Sequence, residues 1–221
     1  MEITAYIGSG AIVNVPQMLE GTPVASIGKN AFYGNTIITS VILPETVVNI
    51  GLQAFAKCTA LKEIAMPYVK AIGNEAFRGT ALESVTIPPI VENLGKYSFA
   101  ETNITTFTMP KDLIRAGDYT FAGCPNLTGV TFAESNDTIT ARMFYNCPAL
   151  TEFVVPPQIT TIDEYAFAGC ANLTRVTIPK TVTEIKEGIF YNSPNVIIVT
   201  EKGSAAEEYA KNYSLTCEYS K

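Results

Sequence analysis

The chain has 221 residues, 47% hydrophobic and only 16% charged, against about 25% charged in an ordinary globular protein, which excludes a disordered chain. Its net charge of −6 works against phosphate backbones, whose binding rests on Lys and Arg, so nucleic acid is excluded as a partner. The absence of histidine removes Ser-His-Asp and Cys-His catalysis together with His-ligated zinc, and no apolar run reaches the roughly 18 residues of a membrane span. Met1–Gly10 lacks a basic segment and a continuous apolar stretch, so no signal peptide is visible.

From the N-terminus, residues 1–26 form an atypical opening unit that contains Tyr6-Ile7-Gly8, Val13-Asn14-Val15-Pro16 and Gly21-Thr22-Pro23-Val24. A repeat then sets in. Phe32, Phe55, Phe77, Phe99, Phe121, Phe144, Phe167 and Phe190 follow one another at intervals of 22 or 23 residues. Where an interval is 22, one residue has been trimmed from a loop, between Met66 and Ile72, Phe77 and Leu82, or Phe99 and Ile104, leaving the apolar slots aligned. Each unit carries a segment such as Leu61-x-x-Ile64-x-Met66, Leu82-x-x-Val85-x-Ile87 or Leu173-x-x-Val176-x-Ile178, whose period-2 alternation predicts a short half-buried strand. Pro44, Pro67, Pro88, Pro110, Pro156 and Pro179 end these strands, because proline has no N–H to continue a ladder. The other half of a unit, such as Ile72-Gly73-Asn74-Glu75-Ala76-Phe77, is too short for an independent helix and predicts a single helical or 3-10 turn.

Stacking is then obligatory, because one unit cannot bury its apolar face alone. With strands pairing at ~4.8 Å, eight units make a rod on the order of 40 Å long with the phenylalanines stacked inside. Three departures mark the middle: Ala133 replaces the proline, Asn136 occupies an apolar slot, and Ala116 stands where neighbours have Ile or Leu. Beyond Phe190 the pattern fades into Val196-Ile197-Ile198-Val199. Ser204-Ala205-Ala206-Glu207 then reads as a capping box opening a helix over 205–212. Tyr209, Leu215 and Tyr219 are available to cover the last phenylalanine and the open strand edge.

The pattern L-x-x-I-x-I-P followed by V-x-x-I-G-x-x-A-F-x-x-C, seen from Leu61 to Cys124 and again from Leu173 to Phe190, resembles the BspA-like leucine-rich repeats of bacterial cell-surface proteins. The resemblance covers roughly residues 12–200 in eight registered copies, and the opening unit is similar to the atypical first unit of such arrays. It implies an α/β leucine-rich-repeat solenoid over residues 1–221. Residues 1–26 would be the N-terminal unit, 27–200 the repeats and 201–221 a C-terminal helical cap, with short parallel strands on a concave face and helical or 3-10 turns opposite. An extracellular or cell-surface location rests on the resemblance alone.

Chemistry-bearing residues mostly fall into repeat slots. Cys58, Cys124, Cys147 and Cys170 lie three residues after a repeat phenylalanine, where other units have Asn35, Thr80, Thr102 and Ser193, so they read as small core residues and free thiols. With no C-x-x-C and no histidine, no metal or redox cofactor is expected, and Cys217 stands apart in the cap. Of the sequons at Asn103, Asn126, Asn136, Asn172 and Asn212, three share the slot before the repeat Leu or Ile and read as turn residues. Tyr97, Tyr119 and Tyr165 share the slot two before phenylalanine, and Tyr33, Tyr145 and Tyr191 the slot after it, all on the turn side.

One file of residues stands out as a surface. Ile42, Ala65, Thr86, Thr108, Thr131, Val154 and Thr177 occupy the outward position between two inward strand residues and should line the concave face, flanked by Ser40, Glu63, Ser84, Thr106, Gly129, Glu152 and Arg175. β-propensity alone accounts for the threonines; the other account is that this nearly uncharged face receives a partner. The expectation is a non-enzymatic scaffold binding protein or glycan at a cell surface, with a spacer segment of a larger surface protein as the alternative. A third reading is an enzyme acting through carboxylates on the irregular units near Asp118, Glu134 and Asp137; the adjacent pairs Asp163-Glu164 and Glu207-Glu208 read as solvated charge, since paired-carboxylate catalysis needs two groups facing one cleft.

Overall fold

The computed structural model describes residues 1–220 as a stack of rungs that build two strand ladders where the repeat pattern predicts one. The first ladder consists of two-residue strands, Glu2–Ile3, Ser26–Ile27, Asn49–Ile50, Ala71–Ile72, Asn93–Leu94 and Arg115–Ala116, all parallel, and it resumes with Thr138–Ile139, Thr161–Ile162 and Glu184–Ile185. The second contains the predicted alternating strands: Ile12–Asn14, Ser40–Ile42 and Glu63–Ala65, then Thr106–Thr108 with Gly129–Thr131, then Glu152–Val154, Arg175–Thr177, Ile197–Thr200 and Thr216–Tyr219. The partners of Asn49 are Ser26 and Ala71, so strand register is the phenylalanine interval itself. In the opening unit Met18–Leu19 and Thr22–Pro23 form an antiparallel hairpin whose two central residues, Glu20 and Gly21, both have positive φ, the backbone twist that suits a two-residue hairpin loop.

The segment around each phenylalanine is neither helical nor 3-10. Residues two before and two after the ring take left-handed backbone: Gln53 (φ 55°) and Lys57 (φ 59°) flank Phe55, and Tyr97 (φ 56°) and Glu101 (φ 59°) flank Phe99. Left-handed non-glycine residues cost on the order of 1–3 kcal/mol each and persist only where surroundings over-determine them. Hydrogen bonds between rungs do so here. The N–H groups of Gln53, Phe55 and Lys57 donate to the carbonyls of Asn74, Ala76 and Arg78 at 2.9, 2.8 and 2.7 Å, while Ala54, Ala56 and Cys58 donate three residues back to Gly51, Gln53 and Phe55. A chain of β-turns, alternate donors aimed at the next rung, thus forms a third ladder and satisfies the backbone without a helix.

Inside, the phenylalanines form one column. Neighbouring rings from Phe32 to Phe190 stack at 4.8–6.3 Å, and Phe55, Phe77, Phe99, Phe121, Phe144 and Phe167 are fully buried. Tyrosines close both ends: Tyr6 stacks on Phe32 at 5.2 Å, and Tyr209 meets Phe190 edge-on at 6.4 Å. Tyr209 lies on α1 (Ala205–Asn212), which starts at the capping box. The Ser204 hydroxyl accepts from the Glu207 N–H at 3.1 Å, and the Glu207 carboxylate accepts from the Gly203 N–H at 2.5 Å. The Tyr209 hydroxyl accepts the Ile189 N–H at 3.0 Å, a donor the array has no further rung to receive. Leu215 packs half-buried against the core. The strand edge itself is covered by Thr216–Tyr219, with the Tyr219 ring left exposed and its hydroxyl donating to Glu207.

One seam interrupts the stack. Among the described residues, no backbone hydrogen bond joins 114–116 to 137–139 or 129–131 to 152–154, so both strand ladders part at the same junction. Only the turn ladder crosses it, with Tyr119, Phe121 and Gly123 donating to Ala141, Met143 and Tyr145 at 3.0, 3.1 and 2.7 Å. The seam coincides with a change in the slot that follows the short strand. Gly51, Gly73, Gly95 and Gly117 sit so close to the preceding rung that a Cβ on Gly73 would stand 2.7 Å from the Gly51 carbonyl carbon, and one on Gly117 2.5 Å from that of Gly95. Asp163 and Lys186, later in the same slot, carry side chains and still donate their N–H groups to the Ile139 and Ile162 carbonyls at 2.9 Å, so the seam falls where a residue with a side chain, Thr140, first follows glycine. The Thr140 hydroxyl donates to the Gly117 carbonyl at 3.1 Å. The sequence departures meet here too: Ala116 leaves the Ile slot short, and Asn136 folds back to accept the Ala133 N–H at 3.0 Å, a donor that proline at 133 would lack.

Candidate interaction surface

In each three-residue strand the middle side chain points to the core and its two neighbours point out, because successive residues face opposite sides of a sheet. Val41, Phe107, Phe153 and Val176 are buried accordingly. The expected file is assembled in two runs by direct register, Ile42 beside Ala65, and Thr108 beside Thr131, with Val154 beside Thr177 continuing it across the seam. Six of the seven are exposed, Val154 to 69%, and Thr177 is half-buried. Thr86 is not in the ladder. The segment Ser84-Val85-Thr86-Ile87 before Pro88-Pro89 is not a strand, and Val85 and Ile87 are only half-buried, so the trimmed loop after Phe77 keeps Leu82 in the core without keeping the strand paired. A shallow groove opens on either side of it: one of about 530 Å³ against Ile42, Ile64, Ala65 and Pro67, the other of about 450 Å³ against Thr106, Thr108 and Pro110.

Two kinds of threonine are now distinguishable. Thr39, Thr128 and Thr174, just before their strands, donate their hydroxyls to carbonyls one rung back, Ala11, Thr105 and Thr151, at 3.1, 3.0 and 3.0 Å. Those bonds are structural. The hydroxyls of Thr86, Thr108, Thr131 and Thr177 have no partner among the described residues, which leaves them available to a molecule docking on this face. Charge along the flanking file is sparse: Glu63 and Glu152 stand alone there, and Arg175 is paired with Glu218 at 2.7 Å.

The turn side is occupied by its own contacts. Tyr97 and Tyr119 stack at 4.3 Å, the Arg78 guanidinium lies over Tyr97 at 5.4 Å, and Arg142 lies between Tyr119 and Tyr165 at 5.4 and 4.6 Å. Arg78 is held further by Glu75 and Glu101 at 3.1 and 2.8 Å. Burial, then hydrogen bonding to Tyr119, pushes the Tyr97 hydroxyl above its usual range. Tyr97, Tyr119 and Tyr165 thus have their ring faces taken up by one another and by guanidinium groups and brace the rod, whereas Tyr33, Tyr145 and Tyr191 on the same side are exposed, Tyr191 to 60%.

Cysteine is explained by a hydrogen bond that its spacing alone does not reveal. The thiols of Cys58, Cys124, Cys147 and Cys170 each donate to the carbonyl of the phenylalanine one rung back at 3.0–3.2 Å, and Ser193 does the same to Phe167 at 2.9 Å. The slot therefore takes a small side chain with a donor. All four thiols are free and buried, and burial pushes those of Cys58 and Cys170 up to about 11, far from the thiolate needed for reactivity. No group of three metal-ligating side chains forms among the described residues. Asp118 is paired with Lys96 at 2.6 Å and Glu134 is exposed, whereas Asp137 borders the cleft at the seam, so the three carboxylates singled out in the sequence are not gathered into one site.

Stacked parallel ladders around one column of rings, with a helix at one end, define a leucine-rich-repeat solenoid, a repeat scaffold. The chain belongs to the BspA type leucine rich repeat family, whose repeat-region model (6 copies) matches residues 25–147, 70–197 and 137–218. It is similar to a leucine-rich repeat protein from Bacteroides ovatus, with a TM-score of 0.74 and 26% identity over 95% of this chain and 60% of that one. The fold is also that of the T. pallidum leucine rich repeat protein (TM-score 0.63, 22% identity, 98% of this chain and 89% of that one). A leucine-rich repeat protein from Eubacterium ventriosum shares it as well (TM-score 0.61, 21% identity, 87% and 60%). The chain thus spans three-fifths of the length of the first and third of these. No curated protein matches it. Among the described residues no helix is long and apolar enough to cross a membrane.

Proposed function

We propose that the chain is a non-enzymatic binding scaffold of a bacterial cell surface that takes a protein partner on the file Ile42, Ala65, Thr86, Thr108, Thr131, Val154 and Thr177. The observation that carries this reading is the combination of exposed methyl groups with threonine hydroxyls that nothing in the protein uses, on a face broken by two grooves. Such a face can bury apolar area and still place hydrogen bonds. The family supports a surface location. The spacer reading is favoured by one fact, that the chain covers 60% of the Bacteroides ovatus chain.

The test is a broad binding screen of the purified protein against host and bacterial surface proteins, beside a variant carrying Thr108→Arg, Thr131→Arg and Val154→Arg. These positions are exposed, so each change should move stability by less than about 0.5 kcal/mol. Saturable binding that the variant loses at unchanged Tm supports the assignment; binding that survives the three arginines, or no binding by the parent protein, refutes it.

A further inference from the structure

At the seam the molecule holds a cleft of about 320 Å³, near the lower end of the roughly 300–1,000 Å³ of small-molecule sites. Its base is apolar, with Leu113, Phe132 and Met143 drawn from the core. Its rim is polar and contains Arg115, Asp137, Thr138 and Asp163. Backbone adds more. At the preceding junctions the N–H of Glu92 reaches the Lys70 carbonyl, that of Ile114 the Glu92 carbonyl, and that of Gly117 the Leu94 carbonyl, at 2.8–2.9 Å. Across the seam the corresponding groups, the N–H of Asp137 and Thr140 and the carbonyls of Ile114 and Ala116, have no backbone partner among the described residues. Unsatisfied donors and acceptors at a partly buried strand edge are costly unless something bonds them.

The shape and charge of the cleft narrow what that something is. A peptide strand would need rungs separated by a further ~4.8 Å. The phenylalanine column is stretched only to 6.3 and 6.2 Å about Phe121, against 5.2 Å between Phe77 and Phe99. Two carboxylates against one guanidinium disfavour phosphates and other anions, and the rim does not gather three ligands for a metal ion. A compact ring with many hydroxyls and an apolar C–H face meets every wall: hydroxyls for Asp163, for Asp137, which already accepts from the Thr138 hydroxyl at 2.9 Å and keeps further lone pairs, and for the open backbone groups, and the C–H face for Leu113 and Phe132. We propose that this cleft is a binding site for a single neutral hexose unit. Its lining includes Met109 and Phe132, next to Thr108 and Thr131 of the proposed protein-binding file, but none of the side chains of that file, and it does not depend on that proposal.

The side chains that open the cleft also supply the test. Ile or Leu occupies the Ala116 slot at Ile72, Leu94, Ile139 and Ile162, so Ala116→Ile should fill the base and raise Tm. Amide spectra of the full chain are recorded with the methyl glycosides of glucose, galactose and mannose at up to roughly 50 mM, a range that detects Kd values weaker than 1 mM. Saturable shifts at Ala116, Asp137, Thr138 and Thr140 with at least one glycoside, lost in Ala116→Ile, support the site. Asp137→Asn, at the exposed rim, should weaken binding roughly tenfold whether or not the Ile variant folds, the worth of one charge-assisted hydrogen bond. No shift with any of the three, or equal affinity in Asp137→Asn, overturns it. The triple arginine variant of the strand file should bind the glycoside as the parent does, so failure of either proposal leaves the other standing.

Discussion

Phe121→Ala tests the column and the seam together. The Phe121 ring has no exposed surface, lies 6.3 and 6.2 Å from Phe99 and Phe144, and has Phe107 leaning on it at 4.7 Å. Truncating a phenylalanine so enclosed costs about 3–5 kcal/mol, the lost transfer of the ring plus the cavity left behind. Phe77, equally buried between rings at 5.5 and 5.2 Å, should cost the same. The two variants differ in what else holds the neighbouring rungs. At Phe77 the short-strand ladder is paired from Ala71–Ile72 to Asn93–Leu94, whereas across the rung of Phe121 both strand ladders are open. In a stack whose stability is a sum of rung terms and nearest-neighbour coupling, weakening the coupling at a seam uncouples the two sides. Phe121→Ala should therefore unfold in two steps in guanidinium chloride and Phe77→Ala in one, followed by far-ultraviolet circular dichroism and by tyrosine fluorescence, since the chain has no tryptophan. A cost below about 1 kcal/mol for Phe121→Ala, or superposable single transitions for both variants, refutes the reasoning.

Ser98→Ala should stabilise the protein by about 1 kcal/mol in thermal unfolding, because the buried Ser98 hydroxyl has no partner while Ala54, Ala76 and Ala166 fill the equivalent slot. The cap should loosen in acid: Lys211, the Gly203 N–H and the Tyr219 hydroxyl hold the Glu207 carboxyl down at about 2 from an ordinary value of 4.5. A depressed carboxyl stabilises the folded form fully above its unfolded pKa. That contribution is lost as pH falls from about 4.5 through 2, so amide exchange in α1 should accelerate across that window in the parent protein and stay flat in Glu207→Gln.

Periodicity made the long elements legible. Phenylalanine spacing and period-2 alternation fix which side chains face inward, and Ser204 with Glu207 fixes where α1 starts. The short-strand ladder was not legible because two residues, as in Asn49–Ile50, are too few for an alternation to appear. The form of the phenylalanine turns was hidden for a different reason. Left-handed backbone usually announces itself through glycine, but here Gln53, Lys57, Tyr97 and Arg142 adopt it under the hold of bonds to the next rung, and no local pattern records a bond 21 residues away. Of the residues that make the cleft, Ala116 and Asn136 were visible as departures; Thr140 was not, since the close approach of the glycines in its slot is to the backbone of another rung.

The position of the seam has its own logic. A solenoid needs at least about three stacked units to be stable, because end units bury only one face. The seam leaves five phenylalanine rungs on one side, Phe32 to Phe121, and three on the other, Phe144 to Phe190, the shorter side closed by α1 and the Thr216–Tyr219 strand. One rung later, the C-terminal part would keep only Phe167 and Phe190. Ala116, Ala133 and Asn136 break the repeat on either side of this junction, and among the described residues no other junction opens both ladders. The junction thus falls where both flanks keep enough stacked rungs to stand, which is where a repeat array tolerates an open strand ladder at least cost.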